Sequence, residues 1–159
     1  MHSSSTGAWS LLQDGPSKTF TWTPAQAATY TLQVWVKSTN SMAAYEASAG
    51  TPIFTVSAVP VQVTAFAANV PSPIRSSTPV TWTATASGGN GSLEYQFWRY
   101  NNTTHTWTVV QGYGPQNTYT WQPAPGDVGS YGLQVWVRSV GSSASWEAWR
   151  SSGTFDVVP

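Results

Sequence analysis

The chain contains two unequal copies of one sequence pattern, and this repetition limits what it can fold into. YTLQVWVKS at residues 30–38 matches YGLQVWVRS at residues 131–139, an offset of 101 residues, and the alignment continues without a gap to FTV and FDV at 54–56 and 155–157. Upstream, WSLLQ from Trp9 matches WTVVQ from Trp107. Self-similarity of this kind indicates one structural unit used twice, so both copies should adopt the same local structure.

The two copies differ in length, because residues 60–106 have no counterpart before Trp9. The join falls at residues 57–60, where Pro60 stops strand pairing. The sequence therefore predicts three segments. These are a tag-like or disordered leader at 1–7, a partial repeat at 8–58 that supplies only the last four strands, and a complete repeat at 59–159.

Short segments rich in Val, Thr, Tyr and Trp, bounded by Gly, Pro, Asn and Ser, predict strands and turns throughout the complete repeat. Seven such segments in about 100 residues are typical of an antiparallel β-sandwich. We therefore predict an all-β fold. The predicted strands are 61–67, 79–86, 93–100, 106–111, 117–122, 130–138 and 153–158.

Alternation along each strand assigns one face to the core and one to solvent. In segment 93–100 this places Tyr95 and Phe97 inward, although a register slip of one residue would exchange Phe97 with Trp98. In segment 130–138 the inward residues are apolar and the outward ones are not aliphatic. The predicted inward set there is Tyr131, Leu133, Val135 and Val137.

Two motifs in the complete repeat resemble known families. DVGSYGLQV at residues 127–135 is similar to the tyrosine corner of immunoglobulin-like domains, and PVTWTATASGG at 79–89 is similar to PKD-type and fibronectin type III-like repeats of bacterial extracellular proteins. The resemblance implies an immunoglobulin-like antiparallel β-sandwich, present as one full copy plus a C-terminal half copy. Leu133 then takes the place of the second disulfide cysteine, and the chain has no Cys.

The partial repeat should expose an apolar face, because the strands that would cover it are missing. A contiguous exposed apolar patch usually marks an interaction surface. We expect a homodimer through residues 8–57, formed either by symmetric packing or by strand exchange, unless preceding strands of a longer chain cover the face. The candidate self-association residues are Phe20, Trp22, Leu32, Val34, Val36 and Phe54.

Charge and motif content exclude several function classes. Six Lys and Arg residues at zero net charge cannot form the basic face that nucleic-acid binding needs. No apolar run is long enough for a membrane-spanning helix, so we expect no membrane insertion. The six acidic residues form no recognisable catalytic pair, and no metal-ligand, phosphate-loop or nucleophile motif occurs. The sequence predicts no catalytic residue, no metal and no cofactor.

Outward-facing aromatic residues are the remaining candidate site. Their flat rings suit stacking against sugars, and Trp, Tyr and Arg also anchor protein interfaces. A structural interpretation competes: segment 139–152 folds back over Trp136, and Arg138 stacks on an indole and pairs with Glu147. The same motif occurs in both copies, which favours the structural interpretation. The candidate ligand-binding residues are Gln96, Trp98, Tyr100, Gln134, Trp136, Arg138 and Trp146, with Trp107 and Trp149 at the border.

Charged residues make up only 8% of the chain, and Cys is absent. This composition resembles that of secreted bacterial β-modules, so we expect an extracellular or cell-surface location. The predicted function is a non-enzymatic structural, spacer or adhesive module in a larger repeat array. The alternative is a carbohydrate-binding module that uses the exposed aromatic sheet face. The expected external partner is a polysaccharide or a cell-surface protein.

Overall fold

A computed structural model describes residues 1–159, and its regular structure consists of β-strands with one short 3₁₀ turn. The chain divides into two compact units, Met1–Ala58 and Val59–Pro159. We refer to them as unit 1 and unit 2 and describe each by itself.

Unit 1 consists of six short strands in two small sheets. Four strands form a sheet in the order β2-β1-β3-β6, and the other two form the hairpin β4-β5. No regular strand is present between residues 10 and 27. The strands are β1 (His2–Ser3), β2 (Ala8–Trp9), β3 (Ala28–Thr31), β4 (Gln33–Val36), β5 (Ala47–Gly50) and β6 (Phe54–Val56).

Unit 2 has eight strands, most of them longer than those of unit 1. Its bounds are β7 (Val59–Ala68), β8 (Ile74–Arg75), β9 (Val80–Gly89), β10 (Leu93–Asn101), β11 (Thr106–Gly114), β12 (Thr118–Trp121), β13 (Gly129–Ser139) and β14 (Ala148–Val158).

Two sheets enclose the core of unit 2 in a sandwich-like arrangement. The larger has the order β11-β10-β13-β14-β8, and the smaller has the order β12-β9-β7. All pairs are antiparallel except β14 with the two-residue β8. The inward side chains of both sheets form one cluster, in which Trp82, Phe97, Val135 and Val137 are fully buried. Tyr95 and Phe97 point inward, so the alternation predicted for this strand is confirmed.

The seven predicted strands of unit 2 are present, with one substantial difference in length. The last strand begins at Ala148 rather than at residue 153, because it pairs with β13 as far as Val137. Its first residues alternate poorly between apolar and polar, which is why the pattern did not reveal them. Strand β8 was not predicted, since two residues are too few for a periodicity.

The turn that precedes β13 is a 3₁₀ turn at Pro125–Asp127. The Asp127 carboxylate accepts a hydrogen bond from the backbone N–H of Ala124 (2.9 Å), which closes the turn. Tyr131 then enters the core and packs edge-on against Trp121, with ring centroids 4.9 Å apart. The local packing thus gives both Asp127 and Tyr131 a structural role.

Unit 1 reproduces the hairpin of β13 and β14 in the same register. Gln33 lies opposite Gly50 and Tyr30 opposite Phe54. The residues 101 positions later pair in the same way: Gln134 lies opposite Ser151, and Tyr131 lies opposite Phe155. Trp22 contacts Tyr30 edge-on at 4.7 Å, as Trp121 contacts Tyr131 in unit 2.

The first residues of the chain also pair, whereas the sequence suggested a tag-like or disordered leader. His2 lies opposite both Trp9 and Thr31, and the backbone N–H of Ser4 donates to the Thr29 carbonyl (3.0 Å). Strand β3 would otherwise present unpaired backbone groups at this edge, which favours pairing with any adjacent extended segment. The leader therefore belongs to the sheet of unit 1.

Candidate functional site

Two tryptophans lie at the centre of the outer face of the large sheet in unit 2. Trp98 on β10 lies opposite Gln134 on β13, and Trp136 lies opposite Gln96. The indoles are therefore diagonal neighbours, within reach of each other for large side chains. Their ring centroids are 4.8 Å apart and their planes are inclined by 41°. Alternation places all four side chains outward, because the residues between them fill the core.

The two glutamines fix the orientation of the indoles. The Trp98 Nε1–H donates to the Gln96 side-chain oxygen (3.0 Å), and the Trp136 Nε1–H donates to that of Gln134 (2.6 Å). The Gln134 amide nitrogen donates in turn to the Ser151 hydroxyl (3.2 Å). Because both indole N–H groups are already bonded, a ligand on this face would contact the ring surfaces rather than the indole nitrogens.

The aromatic surface continues toward both ends of the sheet. Tyr100 contacts Trp107 with centroids 4.9 Å apart, and Trp146 lies 6.5 Å from Trp136. Trp149 on β14 lies directly opposite Trp136. Trp107, Trp146 and Trp149 are 43–50% exposed. We call this surface the aromatic face; its rings are Trp98, Tyr100, Trp107, Trp136, Trp146 and Trp149.

Arg138 is held at one end of this face by three groups. Its guanidinium lies 3.9 Å from the ring centre of Tyr113, and its Nε donates to the Glu94 carboxylate (2.6 Å). Its Nη1 donates to the Ala144 carbonyl (2.9 Å). Burial raises the pKa of the Tyr113 phenol, while the nearby guanidinium acts in the opposite direction. The charge of Arg138 is thus satisfied within the chain.

These contacts correct the interpretation in which Arg138 stacks on an indole and pairs with Glu147. Arg138 stacks on Tyr113 and pairs with Glu94, whereas Glu147 accepts hydrogen bonds from the backbone N–H and hydroxyl of Ser139 (2.9 and 2.8 Å). Tyr113 is not among the site residues predicted from the sequence. Alternation could not place this side chain, because the pairing of β10 with β11 shifts register between Tyr95 and Trp98.

Glu147 closes the turn between β13 and β14. Hydrogen bonds from serine side chains, first Ser142 and then Ser139, hold the pKa of its carboxyl below the usual value. In unit 1 the Glu46 carboxylate closes the equivalent turn between β4 and β5, where it accepts hydrogen bonds from the backbone N–H and the hydroxyl of Ser38 (3.0 and 2.8 Å). Both carboxylates are therefore bound to their own turns, which leaves them poorly placed for acid–base chemistry.

The predicted self-association residues of unit 1 fall into two groups. Trp22 and Phe54 surround the buried Tyr30, with ring centroids 4.7 and 6.1 Å from that of Tyr30, and Leu32 is partly buried. Phe20 is 44% exposed, and Val34 and Val36 are each 57% exposed. Only the first group forms a small core.

Comparison of equivalent positions defines what unit 1 lacks. Val135 and Val137 of β13 have no exposed surface, whereas Val34 and Val36, which occupy the same register in β4, are more than half exposed. In unit 2 the strand next to these valines is β10, whose Phe97 and Tyr95 lie opposite them. The hairpin β4-β5 has no strand on that side.

Comparison with known proteins gives no identification: no family model matches the chain, and no curated protein matches it. No three His, Asp or Glu side chains come together in a group that could hold a metal ion. The chain contains no helix with the length and apolar character needed to cross a membrane.

Proposed function

We propose that this chain is a non-enzymatic extracellular or cell-surface module of an array of immunoglobulin-like repeats, with a structural, spacer or adhesive role. The matching registers of the two hairpins, offset by 101 residues, support the view that both units derive from one repeat. The Asp127 turn leading to the buried Tyr131 supports the immunoglobulin-like assignment. The low charge content supports the extracellular location.

Self-association through unit 1 is the central part of this proposal. The observation that carries it is the exposure of Val34 and Val36 at positions whose equivalents in unit 2 are completely buried. Fully burying one valine side chain stabilises a protein by about 1.5 kcal/mol or more. Val34 and Val36 are each 57% exposed, so a second copy that covers both would add about half of this stabilisation at each side chain. A two-fold arrangement makes the contact self-complementary.

Sedimentation velocity on charged variants tests the association. The variant Val34→Lys/Val36→Lys should be monomeric, because association would bury unpaired ammonium groups. The matched control is Val109→Lys/Val140→Lys, which alters two valines of unit 2 that are 42% and 57% exposed and should leave the dimer intact. A dimer that survives the substitutions in β4 would contradict the proposed interface.

A second candidate function is polysaccharide binding by the aromatic face. The observation in its favour is the set of half-exposed rings, Trp107, Trp146 and Trp149, on the same face as the ordered pair Trp98 and Trp136. Such rings present flat apolar surfaces on which sugar rings can stack. The indoles have fixed orientations, so little conformational entropy would be lost on binding.

Affinity electrophoresis in gels that contain soluble xylan or β-glucan tests this alternative. The wild-type chain should be retarded, and Trp149→Ala should lose the retardation while keeping its fold. Trp35→Ala, which removes an exposed indole from unit 1, is the control and should migrate as the wild type does. Equal migration of all three proteins with and without polysaccharide would exclude binding of these glycans.

A further inference from the structure

We infer that unit 1 contains a vacant strand position that takes up an extended peptide segment with the alternating pattern of β10. The inference deepens the proposed self-association, because it specifies what chemistry completes the same surface. Three features of unit 1 support it: the pairing of the first nine residues, the open edge of β4 and the side chains along that edge.

The first residues of the chain occupy the end of this strand position. His2 lies opposite Trp9 and Thr31, as Tyr100 of β10 lies opposite Trp107 and Gly132. The rings make similar contacts, with centroids 5.5 Å apart for His2 and Trp9 and 4.9 Å apart for Tyr100 and Trp107. Strand β1 therefore matches the last two residues of β10.

The rest of that strand has no counterpart in unit 1. Strand β10 has nine residues, whereas β1 has two, and Met1 continues its line with an amine that donates to the Ser10 carbonyl (2.8 Å). The positions that match Leu93 to Trp98 are thus unfilled. Residues 10–13, whose counterparts pair with β10 as part of β11, form no strand here. Residues 11–13 therefore lie beside no equivalent of β10.

The vacant position offers backbone hydrogen-bonding groups. The carbonyls of Leu32 and Val36 accept from Thr51 and Glu46, so these residues face β5. In an antiparallel strand, the backbone N–H and C=O groups of the intervening residues face the opposite edge. Gln33, Trp35 and Lys37 therefore present their N–H and C=O groups to the side that has no strand, as an edge open to strand addition does.

The side chains along β4 match the β10 pattern position by position. By the register of unit 2, residues equivalent to Phe97 and Tyr95 would lie over Val34 and Val36, and a residue equivalent to Glu94 would face Lys37. In unit 2 the last pair is the ion pair of Glu94 with Arg138. The ligand is therefore an extended segment with two inward aromatic residues and an acidic residue that pairs with Lys37.

Fluorescence anisotropy with a labelled peptide of sequence GSLEYQFW, residues 91–98, tests this inference on the full chain. We expect saturable binding, weakened at least about tenfold when the peptide carries Phe97→Ser, since a buried aromatic ring is lost. A peptide with Glu94→Lys should bind about two- to fivefold more weakly, as expected for the loss of a part-exposed ion pair. The affinity of this peptide should be restored when the chain carries Lys37→Glu. A peptide of scrambled sequence is the control.

The location of binding is read from hydrogen exchange. Peptide binding should slow exchange in fragments that contain residues 33–37 and 10–13. Protection confined to unit 2, or equal binding of the scrambled peptide, would overturn the inference.

The same titration, followed by light scattering, separates this inference from the proposed self-association. A dimer that dissociates as the peptide binds supports both. If the protein is a monomer and binds the peptide, the vacant strand position is supported and the proposed dimer is refuted. If the protein is a dimer and does not bind the peptide, self-association is supported and strand addition is overturned. If it is a monomer and does not bind the peptide, both are overturned.

Discussion

Val135 and Val34 are equivalent positions in the two units, and substituting each by alanine measures the packing that unit 1 lacks. Val135 has no exposed surface, whereas Val34 is 57% exposed. Removing two methyl groups costs about 1.6 kcal/mol of transfer free energy, at about 0.8 kcal/mol for each carbon. At Val135 the residual cavity raises the loss to roughly 2–3 kcal/mol. At Val34 less than half of the surface is buried, so the expected loss in the monomer is at most about 0.7 kcal/mol.

The assay is urea unfolding of the full chain, monitored by hydrogen-exchange mass spectrometry. Fragments from residues 1–58 and from residues 59–159 then report the stability of each unit separately. Measurements at high dilution report the monomer. At higher concentration Val34→Ala should in addition weaken the dimer, while Val135→Ala should not. Equal losses of unfolding free energy for the two variants at high dilution would show that Val34 is as well packed as Val135, and would contradict the proposal that unit 1 lacks this packing.

Three further predictions concern individual contacts of unit 2. Glu147→Gln should reduce the loss of stability between pH 6 and pH 3 in thermal unfolding scans, because a carboxyl whose pKa is lowered by folding stabilises the protein above its unfolded pKa and loses that contribution as the pH falls. Gly88→Ala should destabilise far more than Gly141→Ala in urea unfolding. Both glycines have φ near +80°, but a Cβ on Gly88 would come within 2.1 Å of the Pro60 carbonyl oxygen, whereas nothing lies near Gly141. Arg99→Met should cost about 0.5–2 kcal/mol, because the guanidinium lies over two buried aromatic rings at 4.5 and 5.4 Å.

Periodicity and turn residues were sufficient to predict most of unit 2. The strands there are long enough for a period of two to be clear, and both sheets bury one face. Alternation predicted the inward orientation of Phe97, although a slip of one residue, which would have exchanged it with Trp98, remained open until the structure showed Phe97 buried. The contacts of Arg138 did not follow from alternation, because its partners Tyr113 and Glu94 lie on strands whose pairing a sequence pattern does not determine.

The beginning of unit 1 was the least predictable part. A polar segment such as residues 1–7 has no hydrophobic period, and its pairing depends on an edge supplied by Thr29 to Thr31. The segment around Phe20 matches β12 in sequence but forms no strand, since β12 pairs with β9 and unit 1 has no equivalent of β9. Strands predicted from the local sequence therefore formed only where a partner strand is present.

Light scattering after size exclusion, repeated over a wide range of protein concentration, tests whether the chain self-associates through unit 1. We expect a dimer that dissociates on dilution, because Val34 and Val36 are each 57% exposed and a second copy would cover them. A well-folded monomer at every concentration would contradict self-association through unit 1.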